Sequence, residues 1–176
     1  MVEKEIKMEG IKLFEPNVFK DSRGYFLEFY NQKRFNSELL DEISFVQDNI
    51  SCSHKNVLRG LHFQAPPFEQ GKLIQVLRGR VLDVVLDIRK NSKTFGKHLK
   101  IELTDKNHKQ LWIPPGFAHG FVTLEDNTLL SYKCTNNYSK DHEMDLLWDD
   151  KVLNIDWGID SPIVSEKDKM PAFLMI

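Results

Sequence analysis

From about residue 47 onward, apolar residues occur in short runs separated by Gly, Pro, Asn and Asp. Such runs, rich in Val, Ile, Leu, Phe and Trp, are typical of strands, and the residues between them are typical of turns. The pattern predicts strands over 72–77, 81–88, 99–103, 110–113, 119–124 and 129–135. Gly79, between the first two, predicts a hairpin turn there. Many short strands with few helices favour an antiparallel sandwich or barrel, such as a jelly roll, over a parallel α/β fold.

The first third of the chain contains the one good helical pattern. Asn31 is a candidate N-cap, and Phe35, Leu39 and Leu40 follow it at helical spacing. We expect a short helix at the periphery of the fold. Because no repeat, low-complexity tract or Gly/Ser/Pro-rich linker divides the chain, we predict a single domain over residues 1–176.

The composition is that of an ordinary globular protein. The 24 basic and 26 acidic residues give a net charge of −2, which argues against a nucleic-acid or membrane-surface partner. No run approaches the roughly 18 apolar residues of a membrane span, and the charged stretch 1–7 does not resemble a signal peptide. Cys52 and Cys134 are too few and too far apart for a disulfide framework or a CxxC metal site, so we expect two buried thiols and a cytoplasmic protein.

Two of the six histidines, His62 and His119, lie among apolar residues, and we expect the other four at the surface. His119 ends a Pro-x-Gly-x-x-His segment that has the form of the second motif of the cupin barrels. Cupins usually bind a metal through that histidine, a carboxylate and an earlier H-x-H pair, but here position 64 is Gln. A facial triad of His62, His119 and Glu69 is one hypothesis, and two structural histidines are the other.

The residues that accompany His62 favour proton chemistry. Arg59 precedes it by three positions, Lys72 follows it, and Tyr132 lies in a later apolar strand. An imidazole, a phenol and cations are suited to removing a proton next to a carbonyl and stabilising the enolate, although a structural tyrosine and a solvated lysine are the alternatives. Because no nucleophile elbow or phosphate-binding glycine loop is present, phosphate recognition would depend on Arg23 and Arg59.

Seven segments, in order, resemble the dTDP-4-dehydrorhamnose 3,5-epimerases, which are metal-free cupin-type enzymes of nucleotide-sugar metabolism. The segments are 21–28, 45–49, 57–64, 70–73, 113–121, 132–133 and 165–168. The resemblance covers about 14–171 and implies an all-β, cupin-like jelly-roll (double-stranded β-helix) barrel with a few short peripheral helices. It also implies epimerisation at C3 and C5 of dTDP-4-dehydro-6-deoxy-D-glucose to dTDP-4-dehydro-L-rhamnose, in dTDP-L-rhamnose biosynthesis, with no metal and no cofactor.

The resemblance implies a role for each candidate catalytic residue. His62 would be the base that removes the protons from C3 and C5, and Asp168 would orient it and compensate its charge. Tyr132 would be the acid that delivers a proton from the opposite face. Lys72 would stabilise the enolate at the C4 oxygen, and His119 would shape and polarise the sugar site.

The same resemblance assigns the binding residues. Those implied are Arg23 and Arg59 for the diphosphate, Gln47, Asn49 and Glu28 for the nucleotide, Glu143 and Lys167 as further substrate contacts, and Phe19, Phe26 and Tyr138 for aromatic packing. It further implies a homodimer in which the N-terminal segment of each subunit reaches into the site of its partner.

The chain departs from the family pattern at two places. Gly158 follows Trp157, where the family commonly has Pro, and the tail 172–176 is short and apolar, so we expect it at a subunit contact. Four alternatives to the double epimerase remain. They are an enzyme that inverts only C3 or only C5, a ketoisomerase on a related nucleotide sugar, a metal-dependent cupin dioxygenase and a non-catalytic sugar-binding cupin.

Overall fold

The computed structural model describes residues 8–169; the stretch 1–7 and the tail 172–176, which we expect at a subunit contact, lie outside the described residues. The strands are β1 (Lys12–Phe14), β2 (Val18–Asp21), β3 (Gly24–Leu27), β4 (Gln47–Ser53), β5 (Leu58–Gln64), β6 (Lys72–Arg78), β7 (Arg80–Asp87), β8 (His98–Thr104), β9 (Gln110–Ile113), β10 (Phe117–Thr123), β11 (Thr128–Cys134) and β12 (Glu143–Asp145). The helices are α1 (Gln32–Leu39) and α2 (Glu166–Lys169), with one 3-10 turn over Lys140–His142.

Two five-stranded antiparallel sheets enclose a shared interior. Sheet I has the order β1-β9-β6-β11-β4, and sheet II has the order β12-β5-β10-β7-β8, while β2 and β3 form a separate hairpin. From β4 to β12, successive strands alternate between the two sheets, except that β7 and β8 are neighbours in sheet II. This arrangement confirms the predicted all-β, cupin-like jelly roll with a few short peripheral helices.

The interior is apolar at one end of the barrel. Side chains alternate between the faces of a strand, so Ile74 and Val76 of β6 both point inward. They belong to one buried cluster with Leu130 of sheet I and with Val85 and Phe121 of sheet II. At the other end, where β6 begins and β11 finishes, polar residues occupy the same inward-facing positions.

The outer face of sheet II is covered by the chain that follows β12. Leu58, Val84 and Ala118 pack there against Leu146 and Trp157. The Trp157 indole also donates a hydrogen bond of 2.8 Å to the carbonyl of residue 148. The sheet is therefore buried on both faces, and Gly158, with a φ of +70°, lies within this covering segment, which continues through Ile159 and Val164.

Helix α1 covers the outer face of sheet I. The Asn31 side chain caps it by accepting the backbone N–H three residues later at 3.2 Å, and Phe35 packs on Trp112 with ring centroids 5.4 Å apart. The prediction that Leu40 lies on the apolar helical face is wrong, because the helix ends one residue earlier and Leu40 has a φ of 55° and is 92% exposed. Neither helix within residues 8–169 has the length and apolar content needed to cross a membrane.

The predicted hairpin at Gly79 is wrong, although the turn is present. β6 lies in sheet I and β7 in sheet II, so the chain crosses between sheets at Gly79 instead of folding back on the same sheet. Gly79 has a φ of +85°, and a Cβ atom there would lie 2.5 Å from Thr128 Oγ1. Two apolar runs around one glycine cannot distinguish these turns, because both place a tight bend between two buried strands.

The backbones of the paired strands β5 and β10 approach each other most closely at Gly60 and Gly120. A Cβ atom on Gly60 would lie 2.5 Å from the Cα atom of Gly120, and the register of the two strands shifts between His119 and Phe121. A side chain at either glycine would push the strands apart. The irregularity lies two residues before His62, so it helps to set where that imidazole enters the interior.

Two predictions about exposure are wrong. Cys134 is buried as predicted, but Cys52 is exposed because it lies on the outward face of β4, which is an edge strand. The polar neighbours of His108 predict a surface position, yet it is buried, with the ring of Tyr25 from the hairpin 4.8 Å away. In both cases a tertiary contact or its absence decides the exposure, and local sequence does not contain that information.

The turn after β7 is organised by a fully buried carboxylate. Asp87 accepts hydrogen bonds from Arg89, Ser92 and Thr94, the last two at 2.6 Å. Burial by itself would raise the pKa of Asp87, but these hydrogen bonds outweigh it and hold the pKa well below its usual range. Arg89 also lies over the Phe117 ring, so the network fixes the start of β10.

We expect Asp87→Asn to lower the free energy of unfolding by about 2 to 3 kcal/mol, because Arg89 then lacks its buried counter-charge. Urea unfolding at pH 7 measures the loss. The carboxylate stabilises the fold above its unfolded pKa, so the difference from wild type shrinks as the pH falls below about 4. The control is Asp21→Asn, which removes the same Asp–Arg pairing two residues apart at an exposed site. Equal effects of the two variants would contradict the role of burial.

Candidate active site

His62 lies on the inner face of β5, directly opposite His119 of β10. Its Nε2 atom is 2.6 Å from Asp168 Oδ1, and its side chain is 29% exposed, whereas that of Asp168 is 4% exposed. Burial by itself would raise the pKa of Asp168, but the hydrogen bond and charge of His62 lower the pKa overall. The carboxylate is therefore ionised at neutral pH and fixes the orientation of the imidazole.

A second carboxylate lies beside His62. Asp145 Oδ1 is 3.6 Å from His62 Nε2, which is too long for a hydrogen bond, and 3.0 Å from the Lys167 ammonium. Lys167 also pairs with Glu143 at 2.7 Å, and the Tyr138 hydroxyl donates to the same carboxylate at 2.9 Å. Burial would lower the pKa of Lys167, but the two carboxylates raise it overall. Lys167 therefore compensates the negative charge that gathers around the imidazole.

Sheet I supplies the opposite wall. Lys72 begins β6 and pairs with Cys134 at the end of β11, and Tyr132 lies two residues earlier on the same inward face. Burial lowers the pKa of Lys72, and the nearby Cys134 and Asp83 partly oppose this shift. Burial raises the pKa of Tyr132, which the charge of Arg59 partly opposes. The phenol therefore keeps its proton at neutral pH.

Two amides of β4 extend this wall. Gln47 and Asn49 lie opposite Cys134 and Tyr132 in the register, so they point to the same side of sheet I. Gln47 donates to Asn49 at 3.0 Å and accepts the backbone N–H of Tyr138 at 2.8 Å. The amides are thus held in place beside the exposed ring of Tyr138.

Arg59 and Gln64 lie at the two ends of β5. Arg59 is exposed, and within residues 8–169 its guanidinium makes one hydrogen bond, from Nε to Ser53 Oγ at 3.2 Å. Gln64 is buried; its amide donates to the Phe68 carbonyl and accepts the Ser139 N–H, both at 2.6 Å. The residue that replaces the second histidine of a metal cupin therefore ties together two loops at the mouth of the barrel.

His119 is part of a second His–Asp pair. Its Nε2 atom is 2.9 Å from Asp83 Oδ2 on β7, and both side chains are buried. The pair points into the same interior as His62, because His119 lies on the same face of β10 as Phe117 and Phe121, which belong to the inner apolar cluster. Within residues 8–169, no three His, Cys, Asp or Glu side chains are grouped to hold a metal ion, so the triad of His62, His119 and Glu69 is not assembled there.

Four predicted binding residues lie apart from this cluster. Arg23 and Phe26 are on the β2–β3 hairpin, and Phe26 is 68% exposed, as is Phe19 beside it at 63%. Glu28 pairs with Arg34 at 3.5 Å on the outer side of sheet I, where it lines a cavity of about 260 Å³. Within one subunit the hairpin packs near His108, at the end of the barrel away from His62.

Asp83 and Asp145 are part of the site but are not identified from the sequence. Asp83 shares one face of its strand with Val81 and Val85. A charged residue between two apolar residues on a core face is a sequence signal for a functional group in the interior. Asp145 has no local signal, because its proximity to His62 arises from the pairing of β12 with β5.

The family model for dTDP-4-dehydrorhamnose 3,5-epimerase matches residues 5–175. The chain belongs to the dTDP-4-dehydrorhamnose 3,5-epimerase family. It is therefore an enzyme of an isomerase family. A relative of that name from Shigella flexneri is 51% identical over 162 residues, which are 92% of this chain and 90% of the relative.

Solved structures of this family superpose closely on the chain. The Bacillus anthracis enzyme, with TDP and PPi bound, is 46% identical with a TM-score of 0.91 and covers 97% of this chain and 99% of its own. The Legionella pneumophila enzyme, in complex with dTDP-4-keto-L-rhamnose, is 43% identical with a TM-score of 0.88, covering 92% and 86%. These similarities support the jelly-roll fold and an epimerase activity.

The His62–Asp168 bond predicts a distinctive proton resonance. A short charge-assisted N–H···O bond deshields its proton, so we expect a His62 Nε2–H signal downfield of the backbone amides. The signal should be lost in Asp168→Asn and in the assignment variant His62→Gln. Asp145→Asn is the matched control, because its carboxylate is too distant to share the proton. A signal that survives Asp168→Asn, or disappears in Asp145→Asn, would contradict the pairing.

Proposed function

We propose that this enzyme inverts C3 and C5 of dTDP-4-dehydro-6-deoxy-D-glucose and forms dTDP-4-dehydro-L-rhamnose, a step of dTDP-L-rhamnose biosynthesis. The observation that carries this proposal is the position of a carboxylate-bound imidazole on sheet II and a protonated phenol on sheet I. A sugar ring between the two walls would have a base at one face and an acid at the other. Family membership and the ligand of the Legionella pneumophila structure support a dTDP-linked sugar as substrate.

His62 acts as the base in this proposal. Asp168 is ionised and accepts the Nε2 proton, which leaves the lone pair on Nδ1. The ketone at C4 acidifies the C–H bonds at C3 and C5, so Nδ1 takes one of these protons and the bonding electrons move to the C4 oxygen. Asp168 stabilises the imidazolium that forms. The neighbouring Asp145 carboxylate is already paired with Lys167, so Asp168 is the main counter-charge of the ring.

Lys72 and Tyr132 complete each inversion. The Lys72 ammonium stabilises the enolate at the C4 oxygen, and one ammonium serves both steps because C3 and C5 flank the same carbonyl. Tyr132 then gives its proton to the carbon from the face opposite His62, and the nearby Arg59 charge stabilises the phenolate. Proton exchange with solvent restores both groups before the next step. His119 contributes to the shape and polarity of the sugar site.

The nucleotide and diphosphate would occupy the open side of the barrel. Gln47 and Asn49 offer amide groups there, and the exposed ring of Tyr138 can stack on the base. Glu143 and Lys167 are further substrate contacts in this proposal. The guanidinium nitrogens of Arg59 that make no hydrogen bond within residues 8–169 suit the diphosphate oxygens.

We further propose a homodimer in which the β2–β3 hairpin of each subunit reaches the site of its partner. Arg23, Phe26 and Glu28 are then diphosphate, aromatic and nucleotide contacts delivered across the interface. The exposed phenylalanines of the hairpin and its distance from His62 within one subunit support this arrangement. The exposed Cys52 thiol and the separate Cys134 thiol fit a reducing compartment, which supports a cytoplasmic location.

The proposed base predicts the outcome of an exchange experiment. We expect His62→Ala to lower deuterium incorporation from D₂O into the 4-keto sugar nucleotide about a hundredfold or more, because no group replaces the imidazole. Proton NMR of the sugar measures the exchange and shows whether C3, C5 or both are labelled. His54→Ala is the control, because His54 is exposed at the end of the barrel away from the site.

Tyr132→Phe separates the acid from the base in the same experiment. This variant should keep deuterium exchange but lose most of the net inversion, since the proton returns from the face it left. Wild-type exchange in His62→Ala would remove His62 from the mechanism. Label at one carbon only would favour the single-position epimerase.

The crossing hairpin predicts that two inactive variants restore each other. Mixing unfolded Arg23→Ala and His62→Ala chains and refolding them should give about a quarter of wild-type turnover, because half of the dimers are mixed and each has one intact site. Turnover with the nucleotide sugar measures the recovery, and each variant refolded alone is the control. No recovery above those controls would place Arg23 and His62 in the same subunit's site.

A further inference from the structure

Gln64 binds the backbone of the loop 135–139, which follows β11 at the mouth of the barrel. The residue ends β5 and is 7% exposed. Its amide nitrogen donates to the carbonyl oxygen of Asn137 at 3.2 Å, and its amide oxygen accepts the N–H of Ser139 at 2.6 Å. These two backbone groups flank Tyr138 in the chain. One buried side chain therefore holds the loop on both sides of that tyrosine.

Tyr138 itself has partners at both of its ends. Its backbone N–H donates to the side-chain oxygen of Gln47 at 2.8 Å, and its hydroxyl donates to Glu143 at 2.9 Å. The residue is nevertheless 52% exposed. An aromatic ring that is fixed at both ends and remains half exposed is suited to stacking on a planar base.

The same amide also links the loop 135–139 to a second loop. Gln64 Nε2 donates to the carbonyl oxygen of Phe68 at 2.6 Å, in the connection between β5 and β6. Gln70 of that connection donates to the carbonyl oxygen of Asn136 at 2.8 Å. Because β5 belongs to sheet II and the loop 135–139 leaves sheet I, these amides join the two walls of the barrel at its mouth.

We infer that Gln64 is a positioning residue that fixes Tyr138 in the orientation in which its ring receives the nucleotide base. This inference rests on the proposed function, in which the Tyr138 ring stacks on that base. The Gln64 amide is hydrogen-bonded to protein groups, so it acts through Tyr138 and does not touch the ligand. Because the loop is ordered before the ligand arrives, binding does not include the entropy cost of ordering it.

The substitution Gln64→Met keeps the length of the side chain and removes its three hydrogen bonds. Within residues 8–169 the carbonyl of Asn137 and the N–H of Ser139 have no other hydrogen-bond partner, so the loop should gain mobility. Binding must then order the loop, and we expect the affinity for dTDP to fall about three- to tenfold. His62 and Tyr132 lie on strands, so kcat should stay within about twofold of wild type.

The first test measures KM and kcat for deuterium exchange with the nucleotide sugar. A rise in KM at nearly constant kcat indicates lost binding that is common to ground state and transition state. A merely structural role would displace His62, two residues away on β5, and would lower kcat. The matched control is Gln75→Met, which removes a buried amide bonded to Gln110 at 2.6 Å on the outward side of β6. Its KM and kcat should equal those of wild type.

A double-mutant cycle tests whether Gln64 acts through Tyr138. Calorimetric titration with dTDP gives the Kd of wild type, Gln64→Met, Tyr138→Ala and the double variant. Gln64→Met should weaken binding when Tyr138 is present and have no further effect in Tyr138→Ala, because no ring remains to be positioned. Equal weakening in both backgrounds, or a loss of kcat at unchanged KM, would overturn the inference.

Amide hydrogen exchange of the unliganded wild type measures the order of the loop without a variant. The N–H groups of Tyr138 and Ser139 should exchange slowly, because both are hydrogen-bonded to glutamine side chains. If Gln64→Met does not fold, this measurement still decides. Exchange of the Ser139 N–H at the rate of an unprotected amide would contradict the inference, since the loop would not be ordered before binding.

The measurements also separate this inference from the proposed function. Should the four proteins of the cycle bind dTDP as expected while the nucleotide sugar undergoes no exchange, the proposed reaction fails and the role of Gln64 stands. Should wild type catalyse exchange while the two substitutions weaken dTDP binding independently of each other, the inference fails alone.

Discussion

Because successive side chains of a strand point to opposite faces, every second residue of a strand lines the barrel interior, at its apolar end and at its polar end alike. On β6 and β11 the inward positions run from Val76 and Leu130 to Lys72 and Cys134, so one set of strands builds the apolar core and the polar cavity. Strands place His62, Lys72 and Tyr132, whereas Asp168 reaches His62 through the segment that leads from β12 to α2. Because the cavity is a continuation of the core, its side chains rest on close-packed neighbours and keep their geometry.

The same closeness to the core makes charge the main difficulty of the site. A carboxylate at the entrance of an apolar interior is costly unless a cation or hydrogen bonds compensate it. The His62 imidazole compensates Asp168, and the Lys167 ammonium compensates both Asp145 and Glu143. Asp83 is the most buried of the four, and its Oδ1 atom has no hydrogen-bond partner within residues 8–169. The arrangement suits a reaction in which positive and negative charges appear and vanish on neighbouring groups.

Much of the fold could be predicted from the sequence, because runs such as 110–113 and 129–135 are long enough to show their character. The partition of strands between sheets could not, as Gly79 illustrates, because a turn motif does not record which strand pairs with which. The short strands β1 to β3 and β12 contain too few residues for a pattern to emerge. Their positions depend on partners far away in the chain.

The site residues divide in a similar way. His62, Lys72 and Tyr132 follow from segments with characteristic neighbours, and the structure places them on the facing inner surfaces of the two sheets. The sequence shows Asp83 as a charged residue on the core face of a strand, but it does not indicate which group Asp83 would contact. The contact of Asp145 with His62 exists only after β12 has paired with β5. Charge compensation depends on distances in space, and a linear sequence does not contain those distances.

The hairpin of β2 and β3 has a thermodynamic consequence. If its arginine and phenylalanines complete the neighbouring site as proposed, then each substrate molecule bound adds contacts that bridge two subunits. Linkage requires that such a ligand tighten subunit association by the same factor that association tightens its binding. Substrate supply would then govern the assembly state of the enzyme, and dilution in a cell short of nucleotide sugar would weaken both together.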